Sequence, residues 1–187
     1  MRKIIFTGES KGKTTGAVGI LLSYAVRGFP CLFIQFLKGG RFTGEILLLQ
    51  KYDNIKTLQL GKVSIFSENI RDGKRAPGTE CFGEIAGYSE SLKKENMNSA
   101  LNLINAKEYS IIVLDEVITA YWLKQISIHD VKSLMQAAEH SNARLFLCTG
   151  RGSDNAISNL FDEVLYFKPE KHPFQEKGLV GRYGIEY

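Results

Sequence analysis

The feature that most constrains the fold is a glycine-containing turn near the start of the chain, between an apolar run and a helical pattern. Residues 4–7 predict a buried strand, and residues 14–27 carry apolar side chains at helical spacing. Glycines let the intervening backbone curl so that its N–H groups face an anion, and the following helix adds the partial positive charge of its N-terminus. This strand, loop and helix arrangement predicts a phosphate-binding loop for a nucleotide.

The side chains of this loop supply the rest of the chemistry. Lys13 carries a positive charge for phosphate oxygens, and the Thr14 hydroxyl can bind Mg²⁺. Lys11 either contacts a phosphate or is simply solvated. The predicted nucleotide-binding residues are Gly8, Glu9, Ser10, Lys11, Gly12, Lys13, Thr14 and Thr15. Only three residues separate Gly8 from Gly12, where the usual pattern has four.

A second strand ends in acidic residues that suit the same nucleotide. Residues 111–114 are continuously apolar and are followed by Asp115 and Glu116. A buried parallel strand presents such carboxylates at its carboxyl end, where ligands of α/β sheets bind. We therefore predict Asp115 as a second Mg²⁺ partner beside Thr14. Glu116 would polarise a water or hold a loop.

Short apolar runs alternate with helical patterns along the whole chain. This alternation predicts an α/β, three-layer P-loop NTPase-like fold, with a mostly parallel sheet covered by helices on both faces. The length of 187 residues and the 44% hydrophobic content fit a single domain over residues 1–187. We predict strands at 4–7, 31–36, 55–60, 111–114, 145–148 and 163–167, and helices at 14–27, 44–51, 82–105, 127–138 and 156–161.

The cysteines, the apolar runs and the net charge bear on the location of the protein and on its partners. Cys31 and Cys148 lie in apolar runs and are predicted to be buried, reduced thiols. No apolar run approaches the length of a membrane span, so we expect a cytoplasmic protein without membrane contact. The net charge of +4 and the basic residues Arg71, Lys74 and Arg75 give weak support for a nucleic-acid partner, and we expect none.

Several further segments occur in a fixed order after the phosphate loop. They are Gln35-Phe36-Leu37-Lys38-Gly39, Leu114-Asp115-Glu116, Thr149-Gly150-Arg151-Gly152, Lys171-His172-Pro173-Phe174 and Gly184-Ile185-Glu186-Tyr187. Together with the shortened loop from Gly8 to Thr15, they make the chain resemble the P-loop ATP:corrinoid adenosyltransferases of cobalamin synthesis and salvage. The resemblance runs from the phosphate loop to the last residue.

This resemblance implies a reaction in which Co(I) of a reduced corrinoid attacks the 5′ carbon of ATP and triphosphate leaves. The substrates would be ATP and the corrinoid, with Mg²⁺ as cofactor and a reductase as electron donor. Lys13 and Arg151 would be the catalytic residues, Lys13 stabilising the triphosphate and Arg151 clamping a phosphate oxygen. The alternative for Arg151 is a surface arginine after a turn. The resemblance also implies a homodimer.

The chain departs from the family pattern after the third strand. The family usually carries Gly-Phe-Thr-Trp there, whereas this chain reads Gly61-Lys62-Val63-Ser64 with Phe66 nearby, and its single tryptophan is Trp122. We predict that residues 61–81 face the corrin ring. His172 is either a cobalt ligand or proton donor or, as we favour, an ordinary loop histidine. The alternative function is a divergent P-loop ATPase or kinase-like protein with a lost or changed corrinoid site.

Overall fold

A six-stranded parallel sheet forms the centre of the protein. The computed structural model describes residues 1–38, 43–61 and 90–170. The strand order is β3-β2-β4-β5-β1-β6, and every pair of neighbours runs parallel. The strands are β1 (Arg2–Thr7), β2 (Cys31–Phe36), β3 (Ile55–Leu60), β4 (Ile111–Asp115), β5 (Leu145–Thr149) and β6 (Glu163–Tyr166).

Helices connect these strands across both faces of the sheet. They are α1 (Lys13–Ala25), α2 (Gly44–Leu49), α3 (Glu90–Asn105), α4 (Val117–Trp122), α5 (Ile128–His140) and α6 (Asn155–Ser158). A capping box begins α5. The Ser127 hydroxyl accepts the Asp130 N–H at 3.2 Å, and the Asp130 carboxylate accepts the Ser127 N–H at 2.7 Å.

Alternate residues of the central strands pack into two separate hydrophobic cores, because successive side chains of a strand point to opposite faces of the sheet. On one face Phe33 and Val113 pack with Leu21 of α1 and Leu49 of α2. On the other face the strand residues between them pack against α3, α4, α5 and α6; they include Leu32, Ile34, Ile112, Leu114 and Phe146. Covering both faces of the sheet explains why its central strands are apolar throughout.

The structure confirms the predicted α/β P-loop NTPase-like fold, and the sheet is parallel throughout its described strands. Cys31 and Cys148 are free and buried, as predicted, and burial raises the pKa of Cys31 to about 11. Helix α4 is absent from the sequence-based prediction. The helix predicted over 82–105 is described only from Glu90. The single-domain assignment stays a prediction.

Some predicted features lie outside the described residues. These are the basic residues Arg71, Lys74 and Arg75, residues 62–81 of the predicted corrin-facing segment, and the motifs from Lys171 to Tyr187. In the part of the chain that the structure describes, no helix has both the length and the apolar character needed to cross a bilayer.

Candidate functional site

The predicted phosphate loop lies at the carboxyl end of β1 and leads directly into α1. Gly8 and Gly12 have φ values of +105° and +102°, a left-handed conformation that side-chain-bearing residues rarely adopt. A Cβ atom at Gly8 would come within 2.5 Å of the Phe167 carbonyl oxygen, so the loop also needs glycine there for space. Phe167 also fixes the position of the loop, because its backbone carbonyl accepts the Ser10 N–H at 3.1 Å.

Lys13 is folded back over its own loop. Its ammonium donates hydrogen bonds to the carbonyl oxygens of Gly8 at 2.8 Å and Ser10 at 2.6 Å, and the residue is only 6% exposed. Burial, followed by the nearby charge of Arg151, lowers the pKa of Lys13, while Glu116 opposes that shift. A triphosphate arriving at the loop would offer this buried cation stronger, charged acceptors than the two carbonyls.

Thr14 and Asp115 meet although 101 positions separate them in sequence. The Thr14 hydroxyl donates to Asp115 Oδ1 at 2.8 Å, which joins the start of α1 to the end of β4. Strand β5 lies between β1 and β4 in the sheet. Its last residue, Thr149, donates to the same oxygen at 2.6 Å and spans the gap between the two strands. The parallel topology thus assembles the predicted pair at one edge of the sheet.

The other oxygen of Asp115 faces a second group of polar side chains. Gln35 donates to Oδ2 at 2.9 Å, and the Lys38 ammonium lies 3.3 Å from it. Lys38 also lies 3.4 Å from the Glu45 carboxylate at the start of α2. Asp115 is fully buried. Its two oxygens receive four hydrogen bonds, one each from Thr14, Thr149, Gln35 and Lys38.

These partners decide the protonation state of Asp115. Burial alone would raise the pKa of its carboxyl group, but the charge of Lys38 and the hydrogen bonds from Thr149, Gln35 and Thr14 together hold it below its usual range. Burial likewise disfavours the charged form of Lys38, yet the attraction of Asp115 and then Glu45 raises the pKa of this lysine. Both groups are charged at neutral pH and form an ion pair in which the carboxylate is buried and the ammonium is partly exposed.

The loop after β5 brings Arg151 to the phosphate loop. The Arg151 guanidinium lies 3.4 Å from the Glu9 carboxylate, and both side chains are substantially exposed. A second connection holds the same two segments together, since the Thr7 hydroxyl donates to Ser153 Oγ at 2.9 Å. Such an exposed ion pair contributes little stability, so Arg151 can exchange Glu9 for a phosphate at little cost.

Gly150 of this loop packs tightly against the backbone of α4. Its φ is +149°, and a Cβ atom there would lie 2.4 Å from the backbone nitrogen of Thr119. We expect Gly150→Ala to lower the free energy of unfolding by about 2–4 kcal/mol, because backbone strain and overpacking add. Thermal unfolding would measure this loss, with Gly19→Ala as control, since a Cβ at Gly19 meets nothing within 4 Å. Equal stability of the two variants would contradict the crowding.

The structure brings together Lys13, Thr14, Asp115 and Arg151, the residues to which the sequence assigned phosphate, metal and catalytic roles. Those roles stay predictions. Sequence reasoning assigned no role to Gln35, Lys38 and Thr149, which contact Asp115, or to Glu45, which contacts Lys38 and Gln35. Gln35, Lys38 and Thr149 lie within motifs that the sequence analysis noted, and a polar residue at the end of an apolar strand was the available signal. His172 lies outside the described residues.

Comparison with known proteins places this chain in a family. The model of the ATP:corrinoid adenosyltransferase BtuR/CobO/CobP family matches residues 2–187. A corrinoid adenosyltransferase from Sinorhizobium sp. is 27% identical over 98% of this chain and 79% of its own length. The corrinoid adenosyltransferase of Escherichia coli K12 is 26% identical over 98% of this chain and 84% of its own.

A solved structure, EssC (ATPases 2 and 3) from Geobacillus thermodenitrificans, matches 99% of this chain and 36% of that protein, with 18% identity and a TM-score of 0.46. This match contributes nothing to the assignment, which rests on the family match over nearly the full chain. The order of the sequence motifs and the contact between the phosphate loop and Asp115 agree with the family match. The chain belongs to the ATP:corrinoid adenosyltransferase family.

Proposed function

We propose that this protein transfers the 5′-deoxyadenosyl group of ATP to the Co(I) of a reduced corrinoid in cobalamin synthesis or salvage. The family match supplies the reaction class. The observation in the structure that carries the proposal is the contact between Thr14 and Asp115, which joins the start of α1 to the end of β4 at the carboxyl edge of the sheet, where ligands of such sheets bind. In this reaction a cobalt–carbon bond forms, the bond from C5′ to oxygen breaks, and its electron pair leaves with triphosphate.

The residues of the site suit a departing triphosphate. Lys13 is a buried cation at the loop, and Arg151 is a second, exposed cation beside it. Helix α1 begins directly after Gly12. The backbone N–H groups and the dipole at its N-terminus therefore favour an anion at the phosphate loop. Positive charge that is already in place costs no reorganisation when negative charge develops on the leaving group. We therefore assign Lys13 and Arg151 to leaving-group stabilisation.

The oxygen atoms of Thr14 and Asp115 fit Mg²⁺, which prefers hard oxygen ligands and few protein contacts. Among the described residues no cluster of three or more His, Cys, Asp or Glu side chains offers an alternative metal cage. Both Asp115 oxygens already accept two hydrogen bonds, so Asp115 would hold the ion through water, and Thr14 would contact it directly. Bound Mg²⁺ would neutralise part of the triphosphate charge.

Four further parts of the proposal concern features beyond the nucleotide site. We expect a homodimer, a cytoplasmic location and a reductase that supplies the Co(I) state. Residues 61–81 are proposed to face the corrin ring. The rival function, a P-loop ATPase or kinase, shares the phosphate loop, but the family match favours the adenosyltransferase.

The phosphate product distinguishes the two functions. With ATP labelled on its γ-phosphate and a Co(I) corrinoid present, we expect the label to be released as intact triphosphate, because the broken bond lies at C5′. An ATPase or kinase would instead separate the γ-phosphate from ADP. Chromatography of the labelled products measures the outcome, and Lys56→Ala, which removes an exposed lysine from β3, serves as a control for charge. Label recovered as free phosphate with ADP would refute the proposal.

A further inference from the structure

We propose that Thr119 is a positioning residue that fixes Glu116 and Arg151 relative to each other at the nucleotide site. The inference rests on the proposed function for its catalytic consequence. Thr119 belongs to α4, the helix that the sequence did not predict, and is 5% exposed. Its hydroxyl contacts two separate segments of the chain, residue 116 after β4 and residue 151 after β5.

Both hydrogen-bonding capacities of the Thr119 hydroxyl are used. It donates a short hydrogen bond to the Glu116 carboxylate, and it accepts the backbone N–H of Arg151 at 2.9 Å. A hydroxyl is the smallest group that can donate and accept at once. Valine has nearly the same shape but can do neither, so it would leave the partly buried Arg151 N–H without its partner.

The surrounding backbone fixes the position of this hydroxyl. Glu116 has a φ of +58°, a left-handed conformation that is uncommon for a residue with a side chain. Its N–H donates to Thr149 Oγ1 at 3.0 Å, and the same hydroxyl donates to Asp115. Gly150 packs so closely against Thr119 that an added Cβ would lie 2.4 Å from the Thr119 backbone nitrogen. A strained residue held by several contacts at one site indicates a functional constraint.

The two groups that Thr119 holds have opposite charges and act on the same lysine. Glu116 and Arg151 both exert electrostatic effects on Lys13, of opposite sign. Because Thr119 contacts both, a shift of one segment would change the field that Lys13 and a bound triphosphate experience. Thr119 therefore acts through Arg151 and Glu116, without touching substrate itself.

A double-mutant cycle tests this role. Thr119→Val, Arg151→Met and the double variant are compared for kcat with ATP and Co(I) corrinoid, and for the affinity of inorganic triphosphate measured by calorimetry. We expect Thr119→Val to lower each quantity about tenfold, as for one lost hydrogen bond. The double variant should lose little more than Arg151→Met, because Thr119 acts largely through Arg151. Thr119→Ser keeps the hydroxyl and should restore most of the loss.

Thr57→Val makes the same chemical change in the half-buried middle of β3 and should alter neither quantity. Additive losses in the cycle, or no rescue by serine, would overturn the inference while leaving the proposed function intact. Wild-type protein that forms no adenosylated corrinoid, but shows the coupling in triphosphate affinity, would overturn the proposed function and retain the inference. Absence of measurable triphosphate binding by the wild type would count against both.

Discussion

Lys13→Ala is expected to lower the rate of adenosyl transfer about 10²- to 10³-fold, the loss typical of removing one preorganised group that stabilises developing negative charge. The Lys13 ammonium is buried at the phosphate loop, where it donates to the carbonyls of Gly8 and Ser10. Binding of triphosphate would exchange these neutral acceptors for charged ones. The affinity for ATP should fall as well, and steady-state kinetics separates the two effects.

Lys13→Arg sharpens this prediction. Arginine keeps the charge, but its planar, larger guanidinium does not reproduce a compact ammonium that fits between two loop carbonyls. We expect it to retain ATP binding better than alanine does and to recover only part of the transfer rate. Lys56→Ala, which removes an exposed lysine of β3, should be as active as the unaltered protein. A Lys13→Ala variant that keeps nearly full activity would exclude Lys13 from the chemistry.

Asp115→Asn should produce the second large effect, a loss of about 2–3 kcal/mol in the free energy of unfolding. The carboxylate is fully buried and pairs with Lys38, so the neutral amide leaves that ammonium with Glu45 alone. The amide nitrogen would also face groups that now donate to the carboxylate. We place the loss below that of a fully buried pair, because the Lys38 side chain is 35% exposed. Denaturant titration measures it.

The difference in unfolding free energy between the wild type and Asp115→Asn should change with pH in one direction. The pKa of Asp115 is lowered in the folded protein, so its contribution to stability is present above the unfolded value of about 3.9. The contribution is lost as the pH falls through the lowered folded pKa. The stability gap between wild type and Asp115→Asn should therefore be full at neutral pH and shrink in acid. A gap that does not change down to the acid unfolding of both proteins would contradict the buried pair. Asp53→Asn, at an exposed position, is the control.

The sequence is most informative where one residue type is the only solution to a physical problem. Gly8 and Gly12 are required by backbone conformations that disfavour side chains, and the structure gives both positive φ values. The continuous apolar run before Asp115 predicts a strand buried on both faces, which β4 is. Because parallel strands end at one edge, the meeting of Thr14 with Asp115 follows from the topology.

Other parts of the site depend on contacts that no local pattern encodes. Helix α4 has six residues, and Glu116 begins it in a left-handed conformation without a side-chain cap. It therefore lacks the usual signals of a helix start. The approach of Lys38 to Asp115 depends on the turn at Leu37, whose φ of +61° redirects the chain after β2. Neither conformation is preferred by its residue type, so tertiary packing decides both.

The hydrogen bonds around Asp115 give this residue, at the end of β4, a structural role in addition to its predicted metal role. The sequence predicts an Mg²⁺ partner beside Thr14, and the described geometry gives this carboxylate four protein donors. Asp115 orients Thr14 and holds β2, β4 and β5 together at the carboxyl edge of the sheet, where the phosphate loop lies. A metal role through water remains part of the proposal.

The most direct test of the central claim is to supply the protein with ATP, Mg²⁺ and chemically reduced cob(I)alamin and to follow the light-sensitive spectrum of adenosylcobalamin. Lys13→Ala is run beside the wild type. The account predicts adenosylcobalamin with the wild type and almost none with the variant. If ATP binds but no adenosylated corrinoid forms, although the cobalt is already Co(I), reduction is not the obstacle, and the account of adenosyl transfer is contradicted.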